Sequence, residues 1–370
     1  RIPVKSITNN IETVEQAINI AIHDWNMYER SWDFQGSQLI TGEKDLNISY
    51  QRWNTKNKNI LEKMKLLEEE NNRLFIDAYG LADELTPDVP IDKITLTVNP
   101  AYRYKGLSAE DQQTKFQRDT ILEFLSYSTG CIMGRYSLEH PGLILADSQE
   151  SQEVNLTSYE AKVGKQISDT KFKPDFDGII PILDGEWFED DIVARTREFI
   201  AVVFPDSSVA ENLRFIENSI GKDIRKYFCK DFYKDHLQTY KKRPIYWMVQ
   251  SPTSGFACLI YLHRYTPETL LQVLNDYFRP YLQKLEARLT LLDLDQVNDS
   301  LSKREQIAAR KEAEKINKVI KECQDWEKEI LLPLAQKRIK LDLDDGVKVN
   351  YLKLQDVLAK IPGLKAKGEK

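Results

Sequence analysis

Apolar residues recur at helical spacing along most of the chain. Within Ile11–Arg30, Val14, Ile18, Ala21, Trp25 and Tyr28 share one face and predict a helix with that face inward. Trp53–Ala78 has a seven-residue repeat: Trp53, Ile60, Leu67 and Leu74 hold one position, Asn57, Met64, Asn71 and Ala78 the other. That is a coiled-coil-like seam whose polar interruptions fix register at some cost in stability. Ser108 can cap a helix running to about Tyr136. Phe116, Ile121, Phe124, Leu125 and Ile132 supply its core face, and Gly130 and Gly134 suit close packing against another helix. Helices are also expected over Glu186–Phe204 and Ser208–Ile220. The acidic first turn of the former, Glu189–Asp191, suits the positive end of a helix dipole. From Thr266-Pro267-Glu268, a cap followed by proline, the chain reads as nearly all helix to Ala335. Leu271, Leu274, Phe278, Leu282, Leu285, Leu289 and Leu292 form one stripe, with a kink expected at Pro280. After a break near Asp295–Ser300, Ala309, Ala313, Ile316, Ile320, Cys323 and Ile330 form another, which predicts an antiparallel helical hairpin.

Strand signals are few. ITLTV (Ile94–Val98) and IIPIL (Ile179–Leu183) are short candidates, and IYWMV and FACLIYL flank a Ser-Pro-Thr-Ser-Gly turn as a β-hairpin. Arg1–Asn10 reads as extended. Asp147–Thr170, polar and poor in aromatics, reads as a surface loop. A tail carries DDGVKVNY (Asp344–Tyr351) and ends rich in lysine. The expected class is mainly α with small β elements (α+β): a helical bundle with coiled-coil-like helices and a β-hairpin. It divides into segments 1–92, 93–265 (a mixed core with the hairpin), 266–335 (the long helical hairpin) and 336–370.

Composition narrows the setting. No run of about 18 apolar residues exists to span a membrane, and no signal-peptide pattern is present. Cys131, Cys229, Cys258 and Cys323 are far apart in apolar surroundings, as reduced core residues of a cytoplasmic protein would be. Neither they nor His23, His140, His236 and His263 have metal-ligand spacing, so no metal is expected. The chain begins at Arg1 rather than Met, as a fragment of a longer protein would.

Charge singles out one stretch. From Lys222 to Arg264 there are nine Lys/Arg, three Asp and no Glu, net +6 in a chain of net charge -6. A basic, aromatic-rich island in an acidic chain is a candidate surface for a polyanion. Lys234, Lys241, Lys242, Arg243 and Arg264 are the candidates for backbone phosphate contacts, with His236 a further one. The alternative is a solvated helix face beside a buried hairpin.

Catalytic signals are weaker. Asn99-Pro-Ala-Tyr102 is similar to the Asn-Pro-Pro-Tyr/Phe site of amino-methylating DNA methyltransferases, where the Asn accepts hydrogen bonds from a flipped base. Against that role, the second proline is Ala101, and no Gly-x-Gly loop for a nucleotide-like cofactor occurs. Nor do strands and helices alternate to build the expected sheet. No catalytic or cofactor-binding residue is assigned.

Longer motifs carry a resemblance. SWDF (Ser31–Phe34), RLFIDAYGLADELTPDVP (Arg73–Pro90), NPAYRY (Asn99–Tyr104), EFLSYSTGCIMGRYSLEHPGLI (Glu123–Ile144), IIPILDGEWFEDDIVAR (Ile179–Arg195), the basic stretch and DDGVKVNY follow one another as in one family. The chain resembles the C-terminal region of PglX, the adenine-specific DNA methyltransferase of BREX phage-defence systems. The resemblance implies an N6-adenine methyltransferase parent using S-adenosylmethionine. Its catalytic and cofactor residues lie upstream, ahead of a target-recognition region whose end RIPV (Arg1–Val4) resembles. This chain is then a part without catalytic activity of its own that engages double-stranded DNA. The alternative is a scaffold that docks other BREX proteins.

Overall fold

The computed structural model describes residues 11–147 and 152–364. The extended start expected at Arg1–Asn10, RIPV included, and the last residues of the Lys-rich tail lie outside them. The fold is mainly α with one small antiparallel sheet. Two compact units form, and neither is one consecutive stretch: Arg1–Ser128 with Phe199–Lys222, and Thr129–Glu198 with Asp223–Lys370. These boundaries differ from the four consecutive segments expected.

The first unit contains α1 (Ile11–Asn26), α2 (Leu46–Tyr79), the one-turn α3 (Pro100–Arg103) and most of α4 (Ala109–Ile132). It also takes the end of α6 (Ile192–Val203) and all of α7 (Val209–Ile220). Asp45 caps α2 by accepting from the Ile48 amide at 2.8 Å, and Gly80 ends it in left-handed backbone. Trp53 stacks on Phe116 with centroids 5.3 Å apart, and Phe124 packs on Phe199 at 5.8 Å. Of the expected seam of α2, Trp53, Asn57 and Met64 are buried, while Ile60, where the neighbouring Leu61 is buried instead, and Leu67, Asn71, Leu74 and Ala78 are half-buried.

Ile94–Val98 is not a strand. Ile94, Leu96 and Val98 are buried as the alternation requires, but the backbone donors are claimed elsewhere. The Asp24 carboxylate of α1 accepts from the amides of Thr97 and Val98 at 2.7 and 3.0 Å. With its donors so engaged, the segment has no ladder to join.

The second unit holds the end of α4, then α5 (Gln152–Val163), β1 (Ile179–Pro181) and the start of α6. Helices α8 (Ile224–Tyr227) and α9 (Tyr233–Thr239) follow, joined through a π-helical turn at Phe228–Phe232. Strands β2 (Tyr246–Gln250) and β3 (Ala257–Tyr261) form the expected hairpin, and β3 is central in the order β1-β3-β2. Leu259 pairs with Ile180 on one side and Met248 on the other. Then come α10 (Thr269–Gln272), α11 (Arg279–Gln296), α12 (Lys303–Trp326), α13 (Leu332–Gln336) and α14 (Gly346–Leu354).

Three sequence expectations need correction here. The loop expected over Asp147–Thr170 contains α5, whose Asn155 and Tyr159 are fully buried although most of its residues are polar. Glu186–Phe204 is helical only from Ile192. Asp191 is the cap, its Oδ1 accepting from the Val193 and Ala194 amides at 2.9 and 2.8 Å. Gly130 is needed for close approach, but to the ring of Tyr136 rather than to another helix: a Cβ there would lie 2.4 Å from Tyr136 Cδ2. The α11–α12 pair is the expected hairpin, started by a capping box of Ser302 and Glu305. The irregularity expected at Pro280 falls just before it, as a π-helical turn at Val273–Phe278 that accommodates the missing proline N–H.

The candidate nucleic-acid interface

The basic stretch supplies α8, α9, the turn after them and the hairpin, all in the second unit. Its aromatics face inward. Phe228, Phe232, Tyr233 and Leu237 are buried against the hairpin layer, and the helix hydrogen bonds continue through the π turn. Most of what remains outward is cationic, beside exposed Asp223, Gln238 and Thr239. Lys226, Lys230 and Lys234 are exposed at intervals of four along this helical run. Lys241, Lys242 and Arg243 are exposed at its end.

Lys241 and Lys242 both adopt left-handed backbone, with φ of 51 and 63°. Their amides turn back into the helix end, donating to the Gln238 carbonyl at 3.1 Å and the Leu237 carbonyl at 2.7 Å. The Arg243 amide donates to the Tyr240 carbonyl at 2.9 Å, and Pro244 is buried behind it. Two successive non-glycine residues at positive φ are uncommon. Here the helix carbonyls hold them in place and project three cationic side chains from one short turn. Among the described residues no carboxylate lies within ion-pair distance of these three. Lys234 has only a loose contact with Asp231 at 3.9 Å, and its side chain is 73 % exposed.

Two of the expected contact residues are structural instead. Arg264 is 1 % exposed. Its guanidinium donates to the carbonyls of Asp175 at 2.8 Å and Phe176 at 2.5 Å and packs over Gly178. His236 is 4 % exposed, and its Nε2 accepts from the amides of Ile245 and Tyr246, both at 3.2 Å. Its ring lies 4.8 Å from those of Tyr240 and Tyr246. Burial, aided by the charge of Arg135, pushes its pKa down to about 3, so it is a neutral acceptor that ties the helix to β2. Neither residue has a free face for a phosphate. Lys226 and Lys230 are not among the expected contact residues; their spacing of four with Lys234 is the sequence signal for them.

Next to the start of β1 lies a carboxylate cluster. The Tyr277 hydroxyl donates to Asp177 at 3.0 Å and to Asp190 at 3.2 Å. Burial and the neighbouring Asp175 push the Asp177 pKa up to about 8. Among the described residues, no group of three or more His, Cys, Asp or Glu is arranged to hold a metal. No described helix is long and apolar enough to cross a membrane.

The Asn99 motif is also structural. Asn99 is 1 % exposed; its amide nitrogen donates to the carbonyls of Ile91 at 2.7 Å and Ile94 at 2.8 Å. Its oxygen caps α3 by accepting from the Ala101 amide at 3.1 Å. Both of its amide protons and one lone pair of its oxygen are spent on the backbone, and its burial leaves no face for a base.

The chain matches no protein-family model. It is 34 % identical over 375 residues to the adenine-specific methyltransferase BrxX of Escherichia coli O9:H4 (strain HS). It is 33 % identical over 362 residues to the adenine-specific methyltransferase PglX of Lacticaseibacillus casei (strain Zhang). These matches cover 96 and 93 % of the chain but only 30 and 28 % of the relatives' own length. Over nearly its whole length, the chain therefore belongs to the PglX family of adenine-specific methyltransferases and corresponds to a part of those relatives.

Proposed function

We propose that this chain is the C-terminal, DNA-engaging part of a longer adenine-N6 DNA methyltransferase of a BREX-type phage-defence system. The observation that supports it is the set of outward cations on α8, α9 and the turn: Lys226, Lys230, Lys234, Lys241, Lys242 and Arg243. Cations held on a fixed turn meet phosphates at little ordering cost, and they position a protein on duplex DNA without reading its sequence. S-adenosylmethionine and the catalytic residues belong, on this reading, to the remaining part of the polypeptide. The engagement of Asn99 with backbone and the lack of a Gly-x-Gly loop agree with that division.

The test compares this chain with a variant carrying Lys241→Glu, Lys242→Glu and Arg243→Glu on several unrelated duplexes. The variant loses affinity to the same degree on each, and neither protein alone transfers a methyl group to adenine. Unchanged affinity in the variant would remove the turn from the interface. Methyl transfer by this chain alone would overturn the division of labour.

A further inference from the structure

The first helix is turned the wrong way for an isolated segment. Ile11, Val14, Ile18, Ala21 and Trp25 follow the a/d spacing of a heptad, and Ile22 flanks them. All six are exposed; Ile11 is 70 %, Ile18 51 %, Ile22 53 % and Trp25 52 % accessible. The helix packs on α2 instead. Thr13, Ala17, Ile20 and Asp24, all less exposed, lie on the adjoining face, about 100° round the helix from the heptad stripe. A helix that buries its more polar side and shows water its more apolar side has a second partner. Val14, Ile18, Ala21 and Trp25, expected in the core from their spacing, lie outside it.

We propose that this face docks a helix contributed by the part of the longer polypeptide that precedes this segment in its relatives. The inference rests on the reading of the chain as a C-terminal part. Three considerations select the occupant. A heptad stripe is shaped for another helix, whose knobs fill the holes between a and d residues. The stripe presents on the order of 500 Å² of apolar surface, short of the roughly 800 Å² per partner of a stable free complex. A tethered segment needs less, because its effective concentration is in the millimolar range. Finally, about seven tenths of each relative lies outside the matched region, which leaves ample chain to supply the helix. Glu15 flanks the exposed stripe near its start, so the docking helix is expected to be apolar at its centre with Lys or Arg beside it.

Amide hydrogen exchange tests this on two proteins, the 370-residue chain and the full polypeptide that contains it. In the full polypeptide, amides of Ile11–Asn26 exchange at least tenfold more slowly than in the chain alone. Ile18→Glu lies on an exposed site, so it leaves the melting temperature of the chain alone unchanged yet abolishes the added protection in the full polypeptide. Leu294→Glu, at an exposed leucine of α11, is the control and leaves that protection intact. Equal exchange in both proteins would overturn the inference. So would protection that grows with the concentration of the chain alone and disappears with Ile18→Glu, since the occupant would then be a second copy. Adenine methyl transfer by the full polypeptide, measured in parallel, separates the two levels. Transfer without protection of α1 sinks the docking inference only. A full polypeptide with no methyltransferase part upstream sinks the underlying reading with it.

Discussion

Arg264 and the Lys241-Lys242-Arg243 turn belong to one basic stretch, yet they do opposite things. Arg264 is wrapped in carbonyls from the segment before β1 and is absent from the surface. The three turn residues make backbone hydrogen bonds only, and their charges face outward. A guanidinium can be buried when several fixed oxygens surround it. A lysine at the end of a helix has no such cage and stays in water, available to a phosphate. Local net charge therefore identifies the stretch, while the fate of each cation depends on which carbonyls the tertiary fold brings to it.

That contrast gives predictions of decreasing size. Arg264→Met leaves the carbonyls of Asp175 and Phe176 unpaired and costs about 3–5 kcal/mol in urea unfolding, while DNA affinity per folded molecule is unchanged. A stable variant with lost affinity would reverse the two roles. Triple charge reversal at Lys241, Lys242 and Arg243 does the opposite: affinity falls on the order of 100-fold at low salt, with unfolding unchanged.

A third, smaller effect sharpens the buried side. Asp177, pushed up to about 8 from an ordinary 3.8, keeps its proton in the folded state where the unfolded chain has released it. Stability therefore falls as pH rises through that window. His236, pushed down to about 3, and His263, pushed down to about 4, act in the other direction, but only below their ordinary 6.5. Between pH 6.5 and 8 the decline belongs to the carboxylate cluster, in which Asp190 is also raised by burial. Its size is about 1–2 kcal/mol, and Asp177→Asn flattens it in denaturant titrations at the two pH values. A slope that survives Asp177→Asn would place the proton elsewhere. The smallest effect is at the edge of the cation set, where Lys234→Glu weakens DNA binding by about three- to tenfold and leaves stability unaltered.

Elements with a strong local signature were legible in the sequence. The hairpin had its turn, α12 its apolar stripe after the break near Asp295–Ser300, and α2 its Gly80 stop. Where a distant group decided, sequence patterns misled. Asp24 withdrew the donors of Thr97 and Val98 from any strand, and the carbonyls around Arg264 took a cation from the expected set of contacts. Helix α1 is a third kind of case. Its face of Val14, Ile18, Ala21 and Trp25 is expected inward from its spacing and is exposed, because periodicity marks an apolar face and does not say what covers it. The outward set at Lys226, Lys230 and Lys234 is legible only once the aromatics of the same helix are known to face the sheet.

The most direct test of the DNA-engaging reading is the salt dependence of binding to a random duplex, followed by fluorescence anisotropy from about 50 to 200 mM salt. With three to five phosphates neutralised, the logarithm of affinity falls against that of salt with a slope of about -3 to -5, and the triple reversal variant loses about 3 from it. No binding at the lowest salt, or a slope the variant leaves unchanged, would contradict the assignment of the turn to DNA.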